Sequence, residues 1–225
     1  SLDTLFQRAH VRKIDIVDYS QYTFNDWNLA LPGTYNVHNA AAALTACTQV
    51  GLEGAAVKRI IEQDFQSPRR RFELLGTTVD GAEVYDDYAH NPEALELLID
   101  GVRTKYPNKQ IVFVFQPHLY SRTQDFFAEF VAALAKVDTL YLAPIYPARE
   151  QAADFSTSSA LLAEQIRETS PTTEVILCDD IPSCASQIAE AGYTQEQIII
   201  CAGAGEANKV GKELAGVQTE DNPSK

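Results

Sequence analysis

Two histidines and an arginine stand in short polar segments that could do chemistry together. Asp86-Asp87-Tyr88-Ala89-His90 is one segment, and Gln116-Pro117-His118 followed by Ser121-Arg122-Thr123 is the next. Pro147-Ala148-Arg149-Glu150 and Gly203-Ala204-Gly205-Glu206 are two more. Histidine takes up and gives back a proton near neutral pH. A guanidinium fork matches the paired oxygens of a carboxylate or phosphate. The question is whether the fold can bring these segments to one place.

The hydrophobic pattern predicts elements that do so. Phe72–Val79 and Ala82–Asp86 read as strands around Asp80-Gly81, a hairpin signal. Strand and helix then alternate: helix Pro92–Tyr106 with Asn91 as N-cap, strand Ile111–Phe115, helix Thr123–Ala135, strand Thr139–Ala143 and helix Ser158–Glu168. Strand Glu174–Cys178, helix Pro182–Ala191, strand Gln197–Cys201 and helix Ala207–Ala215 follow. Short apolar strands between amphipathic helices predict an α/β fold, a Rossmann-like, mostly parallel sheet with helices on both faces. Ligands of such sheets bind beyond the C-terminal strand ends, and every polar segment above follows a predicted strand. Ahead of this region lie a predicted strand, Val11–Tyr19, a turn at Pro32-Gly33, and helices at Val37–Val50 and Gly54–Phe65.

Composition narrows the function classes. Hydrophobic residues make up 45% of the 225, enough for a packed core. No apolar stretch reaches the roughly 18 residues of a membrane span. The N-terminus shows no basic region followed by an apolar run, so no signal peptide is expected. A net charge of -13, spread along the chain, argues against a nucleic-acid surface. Cys47, Cys178, Cys184 and Cys201 form no C-x-x-C pair, so neither a zinc site nor a disulfide framework is expected, and a reducing cytoplasm fits. Cys47 and Cys201 lie in apolar runs and read as buried thiols. A chain without methionine that opens Ser-Leu-Asp reads as a piece of something longer.

Several familiar motifs fail. Gly203-Ala204-Gly205 begins like a dinucleotide fingerprint, but Asn208 stands where the third glycine belongs. Gly211-Lys212 ends like a phosphate-binding loop, but Glu206 and Glu213 replace the required glycine and hydroxyl residue. Neither His-Glu-x-x-His nor Gly-x-Ser-x-Gly occurs.

Other segments carry a resemblance to the Mur ligases. Gly33-Thr34-Tyr35-Asn36-Val37-His38-Asn39-Ala40 resembles the Gly-x-His-Asn-x-x-Asn-Ala stretch of that family's central ATPase domain. Arg70-Arg71-Phe72 resembles the close of that domain, and Asp86-Asp87-Tyr88-Ala89-His90-Asn91-Pro92 the opening of the C-terminal domain. Phe115-Gln116-Pro117-His118-Leu119-Tyr120-Ser121-Arg122-Thr123 is similar to the corresponding motif of the alanine-adding member. Asn91 and Leu119 depart from the family's usual histidine and arginine, Tyr35 from its histidine and Ser67 from its glycine.

The resemblance implies that residues 1–71 end the ATPase domain, 72–216 form the C-terminal domain and 217–225 are a polar tail. It implies ATP-dependent joining of L-alanine to UDP-N-acetylmuramate through an acyl phosphate, with Mg2+ bridging the phosphates. Asn39 would contact adenine, Arg71 the phosphates and Asp87 the ribose. Tyr88, His90, His118 and Arg122 would line the amino-acid side, with the histidines orienting the amine or taking its proton. Arg149, Glu150 and the Gly203–Glu206 turn are further candidates, and His10 and His38 read as ordinary residues. Ser67–Arg71 would be the hinge on which the C-terminal domain closes, stiffened by Pro68. The phosphate-binding loop, the magnesium carboxylate and the UDP-substrate domain would lie in other parts of the protein, leaving these residues inactive alone. Three alternatives remain open: the family's ligase that recycles murein tripeptide, a non-catalytic nucleotide- or amino-acid-binding module, and a redox enzyme on the same sheet.

Overall fold

The computed structural model describes residues 17–19, 26–65 and 67–217. Most of the strand expected at Val11–Tyr19, His10 and nearly all of the polar tail lie outside them. The chain divides into two compact units, Ser1–Gln66 and Ser67–Lys225.

In the first unit, helix α1 spans Thr34–Gln49 and turns Val37, Ala40, Ala41 and Leu44 inward at helical spacing. They bury Trp27, with Leu29, Val57 and Ile61 packed around them. The sequence pattern starts this helix at Val37. It begins three residues earlier because Gly33, at φ 96°, supplies the turn that precedes it. Helix α2, Gly54–Arg59, runs into a π-helical turn at Ile60–Asp64. Asn39 and His38 are exposed on α1.

The second unit is built on six strands: β1 Glu73–Thr77, β2 Glu83–Asp87, β3 Gln110–Phe115, β4 Thr139–Leu142, β5 Glu174–Leu177 and β6 Gln197–Ala202. Their order is β1-β2-β6-β3-β4-β5. Only β1 runs antiparallel to its neighbour; the other pairs are parallel. Helices α3 (Pro92–Lys105), α4 (Tyr120–Asp125), α5 (Phe127–Leu134), α6 (Ser159–Thr169), α7 (Ile181–Ala191) and α8 (Ala207–Leu214) connect and cover the strands.

Alternation along the central strands makes two cores. Val112, Val114, Ile199 and Cys201 face one way, onto Cys184, Ala185 and Ile188 of α7 and Val210 of α8. Ile111, Phe113, Phe115, Ile198 and Ile200, the intervening residues, are also fully buried, and Phe115 meets Phe130 of α5 at 5.7 Å between ring centres. Leu95, Leu98 and Ile99 of α3, Leu134 of α5 and Leu162 and Ile166 of α6 are equally inaccessible. Strands apolar on both faces are what a sheet covered on both sides requires.

The local signals for individual elements have direct counterparts. Asn91 caps α3, accepting from the Ala94 N–H at 2.9 Å, with Pro92 in the first turn. Ser158 caps α6 in the same way. Ser67–Arg71 falls in the second unit, where Arg70 and Phe72 bond to the end of β2. Two expectations need correction. The helix expected at Thr123–Ala135 is two helices, broken at Phe126, whose backbone at φ -115° and ψ 31° leaves the helical range. Cys178 and Cys184, expected to be unpaired, are joined by a disulfide. Asp180 and Ser183 form a reciprocal cap that folds the start of α7 back onto the end of β5 and brings the two sulfurs together. Cys201 is a buried free thiol as expected, whereas Cys47 is only half-buried.

Candidate functional site

Because β2, β6, β3 and β4 are parallel neighbours, their C-terminal ends share one edge. The segments after these strands meet there. Tyr88 and His90 follow β2, and their rings lie 5.1 Å apart edge to face, with His90 Nδ1 2.8 Å from the Tyr88 carbonyl. His90 reaches His118, which follows β3, at 6.4 Å between ring centres. His118 in turn stacks on Tyr146, from the segment after β4, at 5.5 Å. Four rings thus form a continuous row along the rim.

Arg122 stands beside this row on α4. Burial holds His118 below the ordinary histidine range, and the charges of Arg122 and then His90 push it further down. Both effects favour the neutral imidazole. Its Nδ1 and Nη1 of Arg122 are buried without a hydrogen-bond partner in the protein. Buried polar atoms are ordinarily satisfied. A guanidinium nitrogen can only donate, whereas an unprotonated imidazole nitrogen accepts, so the two suit different groups of a ligand.

Glu150 holds the loop after β4 against α4: its carboxylate accepts from the Ser121 N–H at 3.0 Å and from the Ser121 hydroxyl. Those bonds draw its carboxyl below the usual range. Leu119 donates its N–H to the Tyr146 carbonyl and Thr123 bonds back to the Leu119 carbonyl, so the left-handed turn that aims His118 is tied at both ends. Arg149 is exposed in the neighbouring turn.

On the opposite flank Asp87 is 4% exposed. One carboxylate oxygen accepts from the Phe72 N–H and the other from the Ala89 N–H, each at 2.8 Å. Asp87 thus caps the strand end, with one lone pair per oxygen left over. Burial raises its pKa, while those two amides and the charges of Arg71 and Arg70 oppose the rise. Arg71 itself is exposed between two residues of left-handed backbone, Arg70 at φ 59° and Phe72 at φ 48°. That double kink turns Arg71 outward, as a residue reaching for phosphate would need. Asn39 lies in the first unit.

Sequence reasoning gave no part to Arg70 or Tyr146. Arg70 donates to Asp86 at 3.2 Å and to the Gly203 carbonyl at 2.6 Å, and its guanidinium lies 4.8 Å from the centre of the Tyr88 ring. A signal existed for it: Asp86 lies in a strand of buried residues and needs a counter-charge. Tyr146 had none, since a lone tyrosine in a loop belongs to no motif.

Fold and rim together define a Rossmann-like domain with loops from four parallel strands gathered at its C-terminal sheet edge. Comparison with known proteins narrows this. The family model described as Mur ligase, glutamate ligase domain, matches residues 70–205. The chain is 35% identical over 194 residues to the UDP-N-acetylmuramate–L-alanine ligase of Parasynechococcus marenigrum, covering 81% of this chain and 40% of that one. With the same-named protein of Acidithiobacillus ferrooxidans it shares 41% over 145 residues, 64% of this chain and 31% of that one. The crystal structure of UDP-N-acetylmuramate–alanine ligase from Thermotoga maritima has the same fold, with a TM-score of 0.68 at 22% identity over 84% of this chain and 38% of that one. This chain belongs to the Mur ligase family. It spans about 40% of the length of the first curated relatives that it matches.

Proposed function

We propose that these residues form the amino-acid-binding part of an ATP-dependent ligase that joins L-alanine to UDP-N-acetylmuramate in peptidoglycan precursor synthesis. The observation that carries this is the pair of open buried nitrogens, His118 Nδ1 and Arg122 Nη1, beside the row Tyr88–His90–His118–Tyr146. The names of the curated relatives support it.

In this reading ATP phosphorylates the lactyl carboxylate of UDP-N-acetylmuramate, and the amine of L-alanine displaces phosphate from the acyl phosphate to form the amide. Arg122 grips the alanine carboxylate, with Tyr88 and Arg149 along the same side. His118, with its neutral form favoured, takes the proton that the amine must lose, and His90 orients that amine. Arg71 meets the ATP phosphates, Asp87 the ribose and Asn39 the adenine. Magnesium would supply charge neutralisation at the phosphates. Among the described residues no group of three or more His, Cys, Asp and Glu could hold a metal ion, so no step here is assigned through it. We place the reaction in the cytoplasm, together with the family's other domains. No helix among the described residues is long and apolar enough to cross a membrane.

The test is phosphate release by the complete ligase carrying this segment. Turnover should require ATP, UDP-N-acetylmuramate and L-alanine together, and the 225 residues alone should show none. Turnover with murein tripeptide but not alanine would shift the assignment to the recycling ligase. Turnover by the 225 residues alone would overturn the division of labour.

A further inference from the structure

The Gly203-Ala204-Gly205-Glu206 turn is not accounted for by the proposed chemistry, and its sequence fails as a dinucleotide motif. Its place in the fold explains its glycines. The turn leaves β6, the strand between β2 and β3, so it sits between the loop carrying Tyr88 and His90 and the loop carrying His118.

Gln116, 5% exposed at the end of β3, grips this turn. Its side-chain oxygen accepts the Glu206 N–H, and its backbone N–H bonds the Ala202 carbonyl at 3.3 Å. Its amide nitrogen points to the Pro144 carbonyl after β4, at 3.5 Å. The turn has room for nothing more. A Cβ on Gly203 would lie 2.8 Å from the Gln116 carbonyl oxygen, and one on Gly205 would overlap the Gln116 side-chain oxygen. A Cβ on Gly205 would also lie 3.3 Å from the Tyr146 Cβ, and Tyr146 is the ring on which His118 stacks. From the other flank Arg70 holds the Gly203 carbonyl.

We infer that Gln116 is a positioning residue: by clamping the Gly203–Glu206 turn against Tyr146 it fixes the plane of the His118 ring and its spacing from His90. Its importance for turnover rests on the ligase reading, but the geometric claim does not. Gln116 touches no reacting atom in this account. It acts through the turn and through Tyr146.

The test uses the 225-residue chain and the ring proton resonances of its histidines. Gln116→Ala should move the His118 and His90 signals while leaving those of His38, in the first unit, in place. Gln116→Glu keeps the acceptor for the Glu206 N–H and should move them less, and it serves if the alanine variant does not fold. Gly205→Ala should disturb His118 by forcing Gln116 aside. Combined with Gln116→Ala it should cost less in melting temperature than the two single changes summed, because the overlap is gone. Unmoved His118 signals in folded variants, or strictly additive melting shifts, overturn the inference. In the complete ligase Gln116→Ala should lower kcat at least about tenfold, with the KM for ATP changed less than about threefold. A parent protein without ligase activity would sink the functional reading and leave the resonance result standing.

Discussion

Arg70 and Asp86 meet at 3.2 Å beneath the candidate site, with Arg70 bonded through one carboxylate oxygen and the other oxygen of Asp86 left buried without a partner. Asp86 is 2% exposed, and burial pushes its carboxyl up to about 6 although Arg70 pulls it down. The folded value lies above the ordinary 3.8, so the folded state holds the proton more tightly than the unfolded one. This group's contribution to stability is complete below about pH 4 and is lost as the pH rises through 6. The loss amounts to about 3 kcal/mol at most. Asp86→Asn should remove it, so that urea midpoints of the two proteins diverge between pH 5 and 7.5. Parallel pH profiles would refute the assignment.

Arg70→Ala should destabilise the second unit by about 3 kcal/mol at pH 7.5, since it strands a buried carboxylate. At pH 5 the same change should cost less, because Asp86 can then be protonated. Equal losses at the two pH values would mean that the guanidinium contributes packing on Tyr88 rather than charge.

His118 should titrate below the ordinary histidine range in a proton NMR titration, and Arg122→Gln should move it back up, because the cation beside it is gone. A histidine lowered in the folded state is neutral where its unfolded counterpart is charged. Its contribution to stability therefore falls as the pH drops below about 6.5. In the complete ligase Arg122→Lys should raise the KM for L-alanine at least about tenfold, the loss of roughly 1.4 kcal/mol expected when a fork becomes a point charge. An unchanged KM would remove Arg122 from the binding side.

Counting free thiols tests the covalent link in the second unit. The denatured, unreduced chain should react at Cys47 and Cys201 only, and at Cys178 and Cys184 as well after reduction. Four reactive thiols in protein isolated without reductant would mean that the pair is held open in the cell.

Phe113 probes the core beneath the rim. It is fully buried in β3, and Phe113→Ala should cost about 3–5 kcal/mol in denaturant unfolding. A loss under 1 kcal/mol would contradict the burial of that strand on both faces.

How much of this was legible beforehand differed by scale. The sheet was readable because Ile111–Phe115 and Gln197–Cys201 are apolar on both faces and helices of the second unit announce themselves with Asn91-Pro92 and Ser158. Strand order was not, because nothing in Gln197–Ala202 says that it enters between β2 and β3. The break at Phe126 was hidden because no glycine or proline marks it in the 120–134 stretch. Asp87 and Arg71 were read from motifs, but that one is locked by two amides and the other thrown outward by a double kink needed coordinates. Arg70 was overshadowed by its neighbour, although a buried aspartate in β2 called for it.

The place of β6 constrains how the molecule comes into being. The strand that joins β2 to β3 is the last to be synthesised, so a nascent chain carries two unzipped sheet edges until residue 202 has emerged. His90 and His118, which follow β2 and β3, cannot meet before then. Shortening by premature termination anywhere ahead of Gln197 would leave an aggregation-prone half-sheet rather than a weakened enzyme.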